Sequence, residues 1–490
     1  MPTKMDTKVK QYKNFINGKW VESSTGETFK SVNPANRTMI LAEFAKSKEE
    51  DYHTAAEAAQ EAFQEWRKVP APVRAEMILK AAQKMEERED EFVKAIVLEV
   101  GKTIKEAQGE VKRALAGMRM QAAEGTRLTG ETIPSQQEGV FAYTIREPLG
   151  VVGIITPWNF PLGIAAWKIS PALVAGNTVV FKPASNTPLI SAMLVELLIE
   201  AGVPKGVINF VTGPGGAAGR AISSDEKVKA VSFTGSTEVG TKLGNEVQER
   251  GARMQAEMGG KNPFVVLKDA DLDLAVEHII FGGFGECGQR CTATSRVIVE
   301  REAASSLIEK LVAKTKEIKI GDPLDPETTM GAFIDKGQVD NYKHYIEIGQ
   351  SEGAQLLYGG HALTDKEYEN GCFVEPAIFT EVTPRMRIAQ EEIFGPVLSI
   401  MIVDSYEQAL EWANDVRYGL SSSIYTKDLS KANDFTRNIE SGVTHVNLPS
   451  TYSEAQYPFG GIKSTTIGPR EQGSAGIDFY TYTRTVYTKP

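Results

Sequence analysis

Cysteine, long apolar runs and an excess of basic side chains are all scarce in this sequence. Three cysteines in 490 residues are an odd number that excludes a disulfide framework, and we expect a reducing, cytoplasmic compartment. No window approaches the ~18 consecutive apolar residues that a membrane-spanning helix needs. The 54 Lys and Arg against 64 Asp and Glu give a net charge of −10. This balance argues against a nucleic-acid or anionic-membrane partner.

We also expect no secretory leader, because residues 1–10 are charged and contain no apolar core. The length itself allows two or three domains at ~150 residues each. With 41% apolar residues, the chain can bury a large core and needs no covalent staples. We therefore expect an ordinary globular protein of several domains.

Apolar runs alternate with helical segments from Gly150 onwards. The runs are residues 151–155, 178–181, 207–211 and 230–233. Segments 161–174 and 188–201 have helical spacing, and a Gly-rich turn that includes Gly213 follows the third run. Buried strands alternating with helices of this length predict βαβ units around a parallel sheet. Four successive units predict a nucleotide-binding α/β domain.

Other regions flank this domain. Helices are predicted over residues 51–66, 75–100 and 102–128, and a second α/β region begins near Gly260 with strands at 263–267, 296–299 and 397–403. Residues 139–147 alternate in polarity, which predicts an exposed β-ribbon. The last twenty residues predict a polar edge strand, and such an edge favours pairing with another chain.

The densest chemical signal is residues 285–292, Gly-Glu-Cys-Gly-Gln-Arg-Cys-Thr. Small neighbours and the cationic Arg290 predict a lowered pKa and a reactive thiol at Cys291. A buried structural cysteine or half of a metal pair are the alternatives on these residues. The Cys-x3-Cys spacing lacks the nearby His or further Cys of a zinc site, so we expect no metal.

Residues 156–161, Thr-Pro-Trp-Asn-Phe-Pro, follow the first apolar run. Ligands of open α/β sheets bind at this carboxyl end of the strands. Asn159 can donate a side-chain N–H to a developing oxyanion there. The alternative is a turn stabilised by two prolines, with Asn159 as a helix cap.

Further polar residues stand beside predicted strand ends. Glu257, in an apolar stretch, can act as a general base, and Lys182 can bind ribose hydroxyls. Gly235 and Ser236 open a helix that can receive a pyrophosphate, although the G-x-G-x-x-G spacing is absent. Glu392 belongs to an acidic pair before a rigid turn. Each of these, taken alone, equally fits a surface side chain or a turn.

Together, in this order and at these separations, the motifs resemble the aldehyde dehydrogenase superfamily. Glu257 and Cys291 stand 34 residues apart, within the family's words Glu-x-Gly-Gly-Lys and Gly-Gln-x-Cys. The resemblance implies an α/β fold with a Rossmann-type NAD(P)-binding domain (1–135 and 151–257) and an α/β catalytic domain (258–465). It also implies an oligomerisation β-ribbon (136–150 and 466–490) and a homo-oligomer, either a dimer or a tetramer.

The resemblance also implies a role for each motif. Cys291 is the nucleophile, Asn159 holds the oxyanion, and Glu257 activates water to hydrolyse a thioester. The residues implied to bind NAD or NADP are Thr156, Pro157, Trp158, Lys182, Ser185, Gly213, Gly235, Ser236, Glu392 and Phe394. Those implied to contact the aldehyde are Phe160, Trp167, Arg290, Thr292 and Phe459. Cys287 departs from the family pattern. If this segment were helical, Cys287 and Cys291 would lie on the same side of the helix. The two alternatives are a reversible disulfide between them and a spectator thiol at Cys287, and the second is favoured.

For the substrate, the segments look most like 2-oxoglutarate semialdehyde (2,5-dioxopentanoate) dehydrogenases. Arg290 offers a cation to an acidic aldehyde. Trp167 stands where succinate-semialdehyde enzymes of the family carry Arg, which argues against succinate semialdehyde as the substrate. Glyceraldehyde and betaine aldehyde are the alternatives, and like charge on Arg290 disfavours the second. CoA-acylating and non-catalytic scaffold members are less favoured, because Glu257 and the other reactive groups are present.

The coenzyme prediction depends on Ser185. NAD-preferring members often have Glu three residues after the ribose-binding Lys, and its charge repels a 2′-phosphate. Here that position is Ser185, so we expect NADP to be accepted at least as well as NAD.

Overall fold

The N-terminal part of the chain has five strands, of which β1, β4 and β5 form a small sheet, followed by four helices. The structure, a computed structural model, describes residues 9–490; what was predicted for residues 1–8 lies outside this range. The elements are β1 (Lys10–Tyr12), β2 (Asn14–Ile16), β3 (Lys19–Val21), β4 (Thr28–Asn33), β5 (Asn36–Ala45), α1 (Glu49–Trp66), α2 (Ala71–Glu87), α3 (Glu89–Val100), α4 (Ile104–Glu124) and β6 (Phe141–Pro148). The single helix predicted over 75–100 is wrong, because Arg88 (φ −116°, ψ 24°) separates α2 from α3.

The predicted βαβ units follow. They comprise β7 (Val151–Ile155), α5 (Gly163–Ala175), β8 (Thr178–Lys182), α6 (Pro188–Glu200), β9 (Ile208–Phe210), α7 (Gly215–Ser224), β10 (Val228–Thr234), α8 (Thr237–Glu249) and β11 (Arg253–Glu257). The Gly-rich turn predicted after β9 is instead largely helix α7. Strands β11, β10, β7, β8 and β9 are parallel neighbours at the centre of an eight-stranded sheet.

Both faces of this sheet are buried, which explains its continuous apolar strands. Val152 and Ile154 of β7 belong to the core formed with α2 to α6. Val151 and Ile155, which point to the other face, belong to the core formed with α1, α7 and α8. The carboxyl ends of the strands are therefore the part of the sheet that remains open to a ligand.

The second α/β region is built on a seven-stranded sheet. Its elements are β12 (Asn262–Val266), α9 (Leu272–Phe284), a 3-10 turn (Gly285–Gly288), β13 (Thr294–Glu300), α10 (Arg301–Thr315), α11 (Lys336–Ser351), β14 (Gln355–Tyr358), β15 (Ala362–Leu363), β16 (Phe373–Val374), β17 (Ala377–Thr380), α12 (Arg387–Gln390), β18 (Val397–Val403), α13 (Tyr406–Asn414), β19 (Tyr418–Gly419), β20 (Ser421–Tyr425), α14 (Leu429–Asn438), β21 (Val443–Val446) and β22 (Ile462–Lys463). The sheet order is β14-β17-β18-β13-β12-β20-β21, parallel except for β14.

The chain then returns to the first sheet and ends in a ribbon. Strand β23 (Thr466–Ile467) pairs antiparallel with β11, and α15 (Ala475–Asp478) precedes β24 (Thr481–Thr488). Strand β24 pairs along its whole length with β6 of the same chain. The predicted α/β fold is confirmed, while the predicted domain boundaries and the role of the ribbon in assembly stay predictions. No helix within residues 9–490 has the length and apolarity to cross a membrane.

Candidate active site

The predicted nucleophile lies just after a sharp reversal of the chain. Glu286 and Cys287 have φ values of 52° and 56°, and Gly288 has φ 67°. A Cβ on Gly288 would lie 2.4 Å from the carbonyl oxygen of Gly395, so this position requires glycine. The reversal turns Cys291 into the wall between two cavities, of about 370 Å³ and about 290 Å³, and both cavities are lined by Cys291.

The Cys291 thiol is not pre-ionised in this arrangement. Burial, with the nearby carboxylates of Glu392 and Glu257, raises the pKa of Cys291 to about 12. The predicted lowering by Arg290 is wrong because the Arg290 guanidinium is paired with Glu286 Oε1 at 2.9 Å. The thiol therefore needs a proton acceptor or an additional positive charge before it can attack.

Cys287 is separated from this chemistry. Its segment is a 3-10 turn in the left-handed region and not a helix shared with Cys291. Its Sγ donates to the Gly331 carbonyl at 3.2 Å, its side chain is buried in the core of the second sheet, and burial raises its pKa well above the usual value. These contacts are those of a structural thiol.

Asn159 follows β7 and reaches the nucleophile's loop. Its Nδ2 donates to the Gln289 carbonyl at 3.0 Å, and its side chain lines the larger cavity beside Cys291. An amide nitrogen carries two N–H groups, so one donor remains for a ligand oxygen. The alternative role of helix cap is not observed, since α5 begins four residues later without a side-chain cap.

Glu257 is the last residue of β11 and is buried. Its Oε2 accepts a hydrogen bond from Thr466 Oγ1 at 2.8 Å, while Oε1 has no partner among the described residues. Burial and the neighbouring Glu471 carboxylate raise the pKa of Glu257 well above its usual value, with Thr466 and Lys168 opposing. A carboxyl group with a raised pKa and a free oxygen is suited to proton transfer.

A buried ion pair, formed by Lys168 and Glu471, lies near Glu257 and affects its pKa. Lys168 Nζ contacts Glu471 Oε1, and both side chains are almost fully buried. Glu471 Oε2 also accepts a hydrogen bond from Trp167 Nε1 at 2.9 Å. Trp167 is thereby fixed between this pair and the smaller cavity that it lines.

The larger cavity brings together most of the predicted coenzyme residues. Those that line it are Pro157, Trp158, Gly235, Ser236, Glu392 and Phe394. The Trp158 and Phe394 rings meet edge to face at 5.4 Å. Glu392 Oε1 accepts the Gly260 N–H at 3.0 Å, and burial raises the Glu392 pKa to about 7.

The other four predicted coenzyme residues do not line this cavity. Thr156 follows β7 directly and Lys182 ends the paired strand β8; the Thr156 N–H donates to the Lys182 carbonyl at 3.2 Å. Burial lowers the pKa of Lys182 to about 8, and within residues 9–490 no carboxylate lies within 4.0 Å of its Nζ. Ser185 donates to the Gly213 carbonyl at 2.9 Å.

The larger cavity fits a nicotinamide dinucleotide. Thr234 Oγ1 and Gln338 Oε1 line it and are buried without a partner within the described range. The N-terminus of α8 is open, because Ser236 makes no side-chain cap, and free N–H groups at a helix start bind phosphate. A Cβ on Gly235 would lie 2.6 Å from the Phe233 ring, so glycine keeps this approach to the helix open.

The smaller cavity is lined by all five predicted aldehyde residues, Phe160, Trp167, Arg290, Thr292 and Phe459. The rings of Trp167 and Phe459 lie 5.8 Å apart. The aromatic side chains form one part of the lining, and charged side chains and the shared Cys291 form the rest. The charge of Arg290 is offset by Glu286 Oε1 at 2.9 Å, while its Nε has no partner among the described residues.

Sequence reasoning missed several lining residues. In the larger cavity these are Thr234, Met258, Gly259, Gln338, Asn341 and Ile393. In the smaller cavity they include Lys105, Glu106, Glu110 and Arg113 of α4 and Phe281 of α9. The α4 residues recur at helical spacing, so a charged stripe on one face of a predicted helix was the available signal. The described residues contain no group of three or more His, Cys, Asp or Glu that could hold a metal ion.

Known proteins match this chain over nearly its whole length. The Aldehyde dehydrogenase family model matches residues 20–486. An alpha-ketoglutaric semialdehyde dehydrogenase of Bacillus subtilis (strain 168) is 48% identical, with 99% of each chain covered. A 2,5-dioxopentanoate dehydrogenase of Saccharolobus solfataricus is 42% identical, covering 96% of this chain and 98% of that protein.

Solved structures agree with the sequence match. The crystal structure of an NAD-dependent aldehyde dehydrogenase from Sinorhizobium meliloti has a TM-score of 0.95 and 36% identity, with 98% of this chain and 95% of that chain covered. The chain belongs to the aldehyde dehydrogenase family. It is an oxidoreductase that oxidises an aldehyde to a carboxylic acid with a nicotinamide coenzyme, NAD(P).

Proposed function

We propose that this enzyme oxidises an acidic semialdehyde, 2-oxoglutarate semialdehyde (2,5-dioxopentanoate), to the dicarboxylate. The observation that carries the proposal is that relatives from Bacillus subtilis and Saccharolobus solfataricus, 48% and 42% identical, are both named for this compound. A cavity of about 290 Å³ that is lined by Cys291, aromatic residues and charged residues also suits a short acidic aldehyde.

The proposed chemistry begins at Cys291. Its thiol proton passes to solvent, and the resulting thiolate attacks the aldehyde carbon to form a thiohemiacetal anion. The oxygen that becomes negative is bound by the free N–H of the Asn159 amide and by the Cys291 main-chain N–H. When bound, the nicotinamide coenzyme accepts a hydride from this carbon. The carbon then remains attached to Cys291 as a thioester.

Glu257 completes the cycle. Its carboxylate removes a proton from water, the resulting oxygen nucleophile attacks the thioester carbon, and the C–S bond breaks to release the acid and the Cys291 thiolate. Because Glu257 lines neither cavity, its side chain must rotate towards Cys291 for this step. Gly460 leaves the space: a Cβ there would lie 2.5 Å from Glu257 Oε1.

The presence of this base supports hydrolysis over transfer of the acyl group to CoA. The presence of nucleophile, amide donor and base together supports an enzyme over a scaffold. Glyceraldehyde and betaine aldehyde are the competing substrates. The argument that Arg290 repels betaine aldehyde by like charge is weakened, since that cation is paired with Glu286.

For the coenzyme, we propose that NADP is accepted at least as well as NAD. Ser185 supplies no negative charge against a 2′-phosphate. Lys182, three residues earlier at the end of β8, lies buried without a carboxylate partner in residues 9–490. A cationic, partly desolvated Lys182 favours an anionic ligand.

We also propose a cytoplasmic homo-oligomer, a dimer or a tetramer, assembled through the β6–β24 ribbon. Phe141 and Tyr487, on the two ribbon strands, are 56% and 73% exposed. Large exposed aromatic side chains on a protruding ribbon favour contact with another copy of the chain.

A matched aldehyde panel tests the substrate proposal. We would measure kcat/KM for 2-oxoglutarate semialdehyde, pentanal, glyceraldehyde and betaine aldehyde, each with NAD and with NADP. The expected result is at least about a tenfold preference for the semialdehyde over pentanal, which has the same number of carbons. A higher kcat/KM for glyceraldehyde or betaine aldehyde would overturn the substrate assignment.

A further inference from the structure

Arg113 is an unassigned cation in the wall of the aldehyde cavity. Helix α4 begins at a capping box in which Thr103 and Glu106 satisfy each other's main-chain N–H groups. This start fixes the rotation of the helix. Glu106, Glu110 and Arg113, at positions i, i+4 and i+7, consequently lie on the face that lines the cavity.

Each carboxylate of this wall is held by at least two contacts with donors or cations of the protein. Glu106 accepts two main-chain N–H bonds, at 2.6 and 2.8 Å. Glu110 accepts two more at 3.0 and 3.1 Å and pairs with Lys102 at 2.7 Å. Glu286 pairs with Lys102 at 3.0 Å and with Arg290 at 2.9 Å. The positive charges of Lys102 and Arg290 are therefore paired with carboxylates of this wall.

Arg113 stands outside this network. Its guanidinium donates to two neutral acceptors, the Ser453 carbonyl and, at 3.2 Å, Gln472 Oε1. Within residues 9–490 no carboxylate oxygen lies within 4.0 Å of it. A guanidinium has five N–H groups in a planar fork, so three donors and the full positive charge remain for a ligand.

We propose that Arg113 binds the carboxylate of the semialdehyde substrate and sets the specificity of the enzyme for acidic aldehydes. The inference rests on the proposed function above. Arg113 and Cys291 line the same cavity of about 290 Å³, so a short chain can place its aldehyde carbon at the thiol and its carboxylate at the fork. Arg290, the cation expected from sequence, instead belongs to the framework of the wall.

The test compares a charged and a neutral aldehyde of equal chain length. Arg113→Met removes the cation and keeps the apolar stem. We expect KM for 2-oxoglutarate semialdehyde to rise about 10- to 100-fold, the scale of a lost charge-assisted hydrogen bond, with kcat changed far less. KM for pentanal should stay the same or fall. Lys112→Met, which removes an exposed cation from the neighbouring position of α4, should behave as the unaltered enzyme.

The outcomes separate the two proposals. An unaltered enzyme that shows no preference for the semialdehyde over pentanal would overturn the proposed function. A preference that survives in Arg113→Met would overturn the role of Arg113 alone. Equal loss towards both aldehydes would also overturn it, because that result means Arg113 only ties α4 to the Ser453 segment.

A second measurement tests the proposal even if Arg113→Met folds poorly. Arg113→Lys keeps a positive charge but lacks the fork. With pentanal as substrate, glutarate should inhibit the unaltered enzyme competitively and Arg113→Lys several-fold more weakly. Binding of glutarate to the coenzyme-free proteins, measured by calorimetry, should change in the same direction. Equal inhibition constants would overturn the proposal.

Discussion

Thr466 donates its hydroxyl hydrogen to Glu257 Oε2 over 2.8 Å. The two residues are directly paired between β23 and β11, although 209 positions separate them in sequence. The hydroxyl lowers the pKa of a carboxyl that burial and Glu471 raise. We therefore expect Thr466 to be a positioning residue that acts through Glu257, the proposed base.

Removing this donor should shift the pH dependence of thioester hydrolysis. Glu257 acts as a base only when ionised, so hydrolysis rises as the pH rises through its pKa. Thr466→Val removes a bond to the charged form, raises that pKa further and should move the rise to higher pH. Single-turnover hydrolysis of the acyl-enzyme from pH 5 to 10 would measure the shift. Thr466→Ser should restore the original profile; identical profiles for all three proteins would contradict this role.

Glu257→Gln should separate the two halves of the reaction. Glutamine cannot take a proton from water, so deacylation should slow much more than acylation. Stopped-flow measurement should then show a burst of reduced coenzyme followed by a slow steady state. The absence of any burst would instead assign Glu257 to activation of the thiol.

The two neighbouring cysteines should respond differently to substitution by serine. Cys291→Ser should fold and lose activity by orders of magnitude, because a serine hydroxyl is far less ionised than a thiol. Cys287→Ser should retain activity, since its thiol is buried in the core and lines neither cavity. Steady-state rates together with thermal melting would check both variants. Equal loss of activity at the two positions would mean that the roles are misassigned.

Ser185→Glu should turn the coenzyme preference towards NAD. The new carboxylate would repel a 2′-phosphate, and we expect kcat/KM to shift towards NAD by at least tenfold, about 1.4 kcal/mol. Ser185→Ala is the matched control: it removes the bond to the Gly213 carbonyl without adding charge and should leave the ratio of NAD to NADP nearly unchanged. Strong NAD preference before and after the glutamate substitution would contradict the coenzyme proposal.

Much of the fold was predictable because the strands of both sheets are short apolar runs. Strand β18 begins and ends where the sequence predicts it, at Val397–Val403. The break at Arg88 was missed because neither Gly nor Pro marks it. Helix α7 was missed for the opposite reason: its glycines predict a turn, and packing against α1 and α8 overrides that preference.

Only the site residues that stand in local sequence motifs were predictable. Asn159, Glu257 and Cys291 stand in motifs that a single chain displays. Thr466 belongs to a two-residue strand, which is too short to show a periodicity. Glu286 stands only four residues before Arg290, but their pairing depends on the left-handed turn at residues 286–288, which the sequence does not reveal. The neutral acceptors of Arg113, Ser453 and Gln472, lie on distant segments of the chain.

The position of Cys291 between two separate cavities has a kinetic consequence. An enzyme whose reactive atom is reached from two openings can exchange the occupant of one while the other stays filled. The order of departure of the two products is then free of steric obstruction, and the acyl group need not leave first. Ping-pong kinetics are therefore not required even though the intermediate is covalent. Once the coenzyme has left, the larger cavity becomes a route by which water reaches the thioester carbon.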